Sequence, residues 1–122
     1  MAEDLLANIG IIEGFYGRPW RWEDRWEYAA FLNENHFRFY IYAPKDDAYL
    51  RKQWQEPWPA ERLEKMIALA DHFHQAGVKL GIGLSPYEIY LDDRTKAKGR
   101  LSRKMEELNA VDYDILCVLF DD

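Results

Sequence analysis

Hydrophobic positions along the chain alternate between two rhythms. Short runs of β-branched and aromatic residues at 8–13, 37–42, 78–84 and 114–120 have the length and composition of strands. Between them lie longer stretches with helical spacing. The first helix, 22–33, follows a loop holding Gly14, Gly17 and Pro19 and carries Glu23 and Asp24 in its first turn, where carboxylates complement the helix dipole. The second opens at Pro59, spaces Leu63, Met66, Ile67, Ala70 and Phe73 three or four apart, and closes at Gly77 as a C-cap. A third, with Leu101, Met105 and Leu108 on one face, follows a polar loop containing Asp92, Asp93 and Arg94. Pro44 ends the second strand, because proline has no N–H to donate to a sheet ladder.

Strand and helix alternate three times before a fourth strand, an order that calls for an α/β fold with a parallel sheet and right-handed crossovers. A complete (β/α) barrel takes about 250 residues, and this chain has 122. The pattern therefore predicts a parallel half-barrel, the first four strands of a TIM-type barrel, with residues 1–122 as one unit. Polar residues gather after the strands: Glu13, then Lys45 to Asp47, then Ser85 with Tyr87 and Glu88, then Asp121 and Asp122. Parallel α/β folds place their chemistry at that end, and one face of the sheet is expected to carry all of these residues. A half-barrel also leaves its first and fourth strands as open edges, so self-association, or pairing with a C-terminal half-barrel, is expected.

Composition narrows the function classes. With 48% hydrophobic and 31% charged residues the chain has enough apolar material for a core, which argues against disorder. A net charge of −6 argues against nucleic acid and anionic membrane surfaces as partners. The start, Met1-Ala2-Glu3-Asp4, lacks the basic and apolar regions of a signal peptide, and no run reaches the length of a membrane span. The expectation is a soluble, cytoplasmic protein. The single cysteine, Cys117, lies inside the last apolar run and reads as a small buried hydrophobe rather than a reactive thiol.

Three Asp-Asp pairs compete as catalytic carboxylates. Asp92 and Asp93 sit among Arg94, Lys96 and Lys98 in what reads as a solvated loop, and Asp46 with Asp47 serves equally well as a loop or helix cap. Asp121 and Asp122 leave the most apolar strand, where burial and mutual repulsion raise the pKa of at least one carboxyl, as a general acid requires. Strand-terminal aspartates are also common metal ligands, and that alternative stays open. His72 and His74 are two apart on a helix and do not share a face, so a histidine metal site is not expected. No phosphate loop or dinucleotide fingerprint occurs. The basic residues from Arg94 to Lys104 read as a solvated helix face, and the five tryptophans as core or interface anchors.

Three segments resemble one known family. Glu13-Gly14-Phe15-Tyr16-Gly17-Arg18-Pro19-Trp20 after the first strand, Tyr42-Ala43-Pro44-Lys45-Asp46-Asp47 after the second and Phe120-Asp121-Asp122 after the fourth are similar to the catalytic domain of glycoside hydrolase family 84. Those are β-N-acetylglucosaminidases, among them the O-GlcNAcases and proteins known as hyaluronidases. The resemblance covers nearly the whole chain and the first half of the family's barrel. It implies retaining, substrate-assisted removal of terminal N-acetylglucosamine through an oxazoline, a departure from the usual two-carboxylate scheme. It further implies that Asp121 orients the acetamido group and that Asp122 protonates the leaving oxygen and then activates water. Lys45 and the backbone carbonyl of Gly14 would hold sugar hydroxyls, and Tyr16 would line the pocket. No cofactor and no metal is implied, and the partner is an N-acetylglucosamine-containing glycan or glycoprotein. The family's later contacts to the sugar have no counterpart here, so little activity is expected of the chain alone. The competing reading is a non-catalytic half-barrel scaffold that self-associates through its exposed edges.

Overall fold

A computed structural model describes residues 9–120. Four parallel strands, β1 (Gly10–Glu13), β2 (Phe39–Tyr42), β3 (Lys79–Leu84) and β4 (Ile115–Val118), form one sheet in the order β1-β2-β3-β4. Helices α1 (Trp22–Glu34), α2 (Ala60–Gln75) and α3 (Arg94–Leu108) connect them. The register sets Ile11 opposite Tyr40, Tyr40 opposite Leu80, and Ile82 opposite Leu116. This is the expected α/β parallel half-barrel, and among the described residues β1 and β4 are its edges. Among the described residues no helix is long and apolar enough to cross a membrane.

The strands are shorter than the apolar runs because the chain uses the ends of those runs to turn. The Phe37 N–H bonds to the Leu32 carbonyl (2.9 Å) and the His36 N–H to the Asn33 carbonyl (3.2 Å), closing α1 with His36 at φ 65°. At the end of α2 the Val78 N–H reaches the Phe73 carbonyl (2.9 Å) and Gly77, at φ 78°, reaches His74 (3.0 Å). Both are paired 6→1 and 5→2 closures, in which the residue after the cap must be left-handed. Glycine meets that requirement in one exit and histidine in the other.

Alternation along the strands divides the sheet into two faces. Ile11, Tyr40, Leu80, Ile82, Leu84 and Leu116 face the helices and pack on Leu32, Met66, Leu69 and Phe73. The other face, which would line a barrel's interior, carries small and β-branched residues at Ile12, Ile41, Gly81, Gly83 and Ile115. A Cβ on Gly81 would lie 2.8 Å from Ile41 Cγ1, and one on Gly83 would lie 2.6 Å from Ala43 Cβ. Ile12, on this face at the edge, is 56% exposed. Cys117 pairs with Gly83 and is only partly buried, not enclosed in the core as its surroundings in sequence implied.

Two helical stripes differ from the predicted ones. In α2 Leu69 is fully buried while Ile67 is 43% exposed. In α3 Met105 is 40% exposed and Lys104, expected on a solvated face, is 2% exposed. The Lys104 Nζ donates to the Glu56 carbonyl (2.8 Å) and sits 5.9 Å from the Trp58 ring centre, so its long apolar stem packs in the core while its tip is satisfied. Burial lowers its pKa below the usual lysine value.

Candidate active site

A pocket of about 230 Å³ opens at the carboxyl ends of the strands, lined from β1 and β3 and from the segments that follow all four strands. Gly14 enters from the loop after β1, Lys45 and Arg51 from the loop after β2, Ser85 from the end of β3 and Leu119 from the end of β4. Its floor is Ala43 and Gly83. The 2.6 Å approach that a Cβ at Gly83 would make explains why glycine is needed there: any side chain would fill the floor or push β2 away.

Of the residues singled out in the sequence, Gly14 and Lys45 are brought together as pocket lining. Tyr16, expected to line the pocket, is not among its lining residues; it is 71% exposed, with Lys45 Nζ 5.3 Å and the Arg51 guanidinium 5.7 Å from its ring centre. These are cation–π contacts between an exposed ring and two cations that line the pocket. Asp121 and Asp122 lie outside the described residues. Leu119 is described: its N–H bonds to the Leu84 carbonyl (2.7 Å), and it lines the pocket.

Arg51 was not legible as a site residue. It reaches the pocket because a short 3₁₀ turn, Ala48–Leu50, folds the loop back, and its Nη1 then donates to the Lys45 carbonyl (2.6 Å). In the sequence it is one more charged residue in a polar loop. A larger groove of about 460 Å³, lined by residues such as Glu64, Ile67, Asp71 and Asp112, lies on the outer side of α2 and shares none of this chemistry.

The remaining candidates have structural partners. The Asp93 side chain caps α3 by accepting from the Lys96 N–H (2.9 Å), and Asp92 pairs with Arg100. His72 contacts the Trp26 carbonyl (3.0 Å), and His74 contacts the Asp114 carboxylate (2.7 Å). That contact and the Leu80 N–H outweigh the effect of burial and keep the Asp114 pKa below the usual carboxylate value. Among the described residues no cluster of three metal-ligating side chains occurs. Trp54 and Trp58 are core residues, as expected of anchors.

One expectation fails in an informative way. Glu13 does not join the polar residues on the site's face; strand alternation turns it towards the helices, where it is 1% exposed. Arg25 of α1 pairs with it through two bonds of 2.8 and 2.7 Å, and the Tyr40 hydroxyl donates to it as well. The Arg25 guanidinium is flanked by Trp22 (4.5 Å) and Tyr42 (5.0 Å). Burial alone would lower the Arg25 pKa, but the bonds to Glu13 more than offset it and raise it. Burial, reinforced by the Glu13 charge, raises the Tyr40 pKa well above its ordinary value. The Glu13 carbonyl meanwhile accepts from the Ala43 N–H (3.1 Å), so the ion pair fixes the strand end immediately before Gly14.

Comparison with known proteins places this geometry. Residues 9–122 match the family model for beta-N-acetylglucosaminidase. The chain is 32% identical over 113 residues to Protein O-GlcNAcase of Rattus norvegicus and, equally, of Mus musculus, covering 93% of this chain and 12% of each relative. Among solved structures, that of CpGH84B superposes with a TM-score of 0.86 at 32% identity, covering 94% of this chain and 21% of its own. An aspartate-to-asparagine mutant of the Thermobaculum terrenum O-GlcNAc hydrolase superposes with a TM-score of 0.82 at 32% identity, covering 93% and 24% respectively. The chain thus spans about an eighth of the length of the curated relatives it matches.

Proposed function

The chain belongs to the β-N-acetylglucosaminidase family, and from that premise we propose that it forms the N-terminal half of a (β/α)8 glycosidase domain that removes terminal β-linked N-acetylglucosamine from a glycan or glycoprotein. The observation that carries the reading is the pocket at the strand ends, which Gly14, Lys45 and Leu119 line together. Lys45 offers a multi-donor cation to sugar hydroxyls, and the Gly14 carbonyl offers an acceptor that no Cβ obstructs. Asp121 orients the acetamido N–H so that its carbonyl oxygen attacks the anomeric carbon. Asp122 donates its proton to the departing glycosidic oxygen, and its carboxylate then takes a proton from the water that opens the oxazoline. No enzyme carboxylate bonds to the sugar. Tyr16 holds the cationic rim and so borders the sugar.

The described strands supply one wall of the pocket and leave Ile12 exposed on the interior face, which favours pairing with further barrel strands. General acid help is worth about 10²- to 10⁴-fold and requires a positioned substrate, so the chain alone has little or no turnover. The test is hydrolysis of a chromogenic β-N-acetylglucosaminide by the chain alone and combined with the remaining half of the barrel, with Asp122→Asn as control. The reading expects turnover in the combination and its loss in the variant. Equal turnover in parent and variant, or none in a folded combination, contradicts it.

A further inference from the structure

The loop after β2 supplies Ala43, Pro44, Lys45, Leu50 and Arg51 to the pocket, and Asp47 stands in the middle of that segment. Asp47 itself points away from the pocket and is 3% exposed. Its carboxylate accepts from the Tyr42 hydroxyl (2.7 Å), Trp58 Nε1 (3.0 Å), Arg62 Nη1 (3.2 Å) and the Tyr49 N–H (3.1 Å). These donors come from β2, from the end of the long loop, from α2 and from the turn that Asp47 caps. Capping the turn needs only the last of them, and a neutral Asn or Ser would serve for that. A carboxylate taken out of water costs several kcal/mol unless it is fully bonded, so four donors from separate elements describe an anchor for the loop as a whole.

We infer that Asp47 is the positioning residue for Lys45: it pins the segment on both sides of itself, so that Lys45 and Arg51 project into the same pocket. The anchoring is supported on the pocket side, where Arg51 Nη1 grips the Lys45 carbonyl (2.6 Å) and Tyr16 underlies both cations. Asp46, adjacent and exposed, provides a control of identical charge and place in the sequence. The inference rests on reading Lys45 as a sugar-binding residue.

The experiment is a double-mutant cycle in the assembled barrel on a chromogenic β-N-acetylglucosaminide, with thermal midpoints measured alongside. Asp47→Asn raises KM by about five- to twentyfold with kcat changed by less than about threefold, since hydroxyl contacts act on substrate and transition state alike. Asp46→Asn leaves both unchanged. In a Lys45→Ala background the effect of Asp47→Asn shrinks to less than about twofold, because the two residues act through one contact. An undiminished effect in that background, or no effect in the parent, overturns the inference. Tyr42→Phe removes one donor and keeps the charge; it gives a smaller KM rise with the same dependence on Lys45 if Asp47→Asn folds poorly. Amide exchange on the chain itself reads the anchoring without turnover. Asp47→Asn speeds exchange across residues 45–51 and leaves β3 protected, and unchanged exchange overturns the inference. An inactive parent with this exchange pattern sinks the glycosidase reading and leaves the anchor standing.

Discussion

Glu13 sets the terms at the scale of single residues. Its carboxylate is buried with three donors, two from Arg25 and one from Tyr40, so removing it strands a buried guanidinium. Breaking such a pair costs about 3–5 kcal/mol, and Glu13→Ala is expected to lower unfolding free energy by that amount in denaturant titration; a loss under about 1 kcal/mol contradicts the account. The tyrosines give a pH prediction. Burial first, then Glu13 and Asp47 respectively, raise the Tyr40 and Tyr42 pKa values above the ordinary one near 10. A raised folded-state pKa means that stability is fully present below the unfolded value and is lost as pH rises above it. Denaturant midpoints should therefore fall steeply above about pH 10, with phenolate absorbance from these two rings appearing together with unfolding. Their ionisation with the fold intact would refute this. That Gly14 and Lys45 share one pocket was legible because the motifs put both just after strand ends. Glu13 and Arg51 were misread or missed because facing is decided by strand alternation and a three-residue turn, which polarity along the sequence does not encode.

At the scale of elements, the two helix exits share one geometry and differ in one residue. His36 holds φ 65° where Gly77 holds 78° at the equivalent place. A left-handed L-residue costs roughly 1–2 kcal/mol, part of which returns as glycine's greater unfolded entropy. His36→Gly is expected to stabilise the chain by about 0.5–1 kcal/mol, seen as a higher denaturant midpoint at unchanged slope; destabilisation would contradict the closure described for α1. Gly77 announced its exit in the sequence and His36 did not, since only glycine advertises positive φ. The order of elements was legible throughout, because helical spacing and strand runs alternate cleanly. The buried stripes of α2 and α3 shifted by a residue or two where Leu69 and the stem of Lys104 pack better than Ile67 and Met105.

The whole molecule is a parallel sheet whose helix side is a finished core and whose opposite side is the floor and wall of a pocket. Two buried carboxylates, Glu13 and Asp47, lie behind that wall and fix the strand ends that bear Gly14 and Lys45. The pocket lies at the carboxyl ends of the strands, where parallel α/β folds place their chemistry, while the outer groove beside α2 offers a contrasting place for a ligand to bind. The most direct test is an amide chemical-shift titration of the labelled chain with N-acetylglucosamine. Combined with the remaining half of the barrel, the labelled chain is predicted to show saturable shifts at Gly14, Lys45, Ser85 and Leu119. Shifts confined to the outer groove around Ile67 and Asp112, or none at millimolar sugar in that folded combination, would contradict the account.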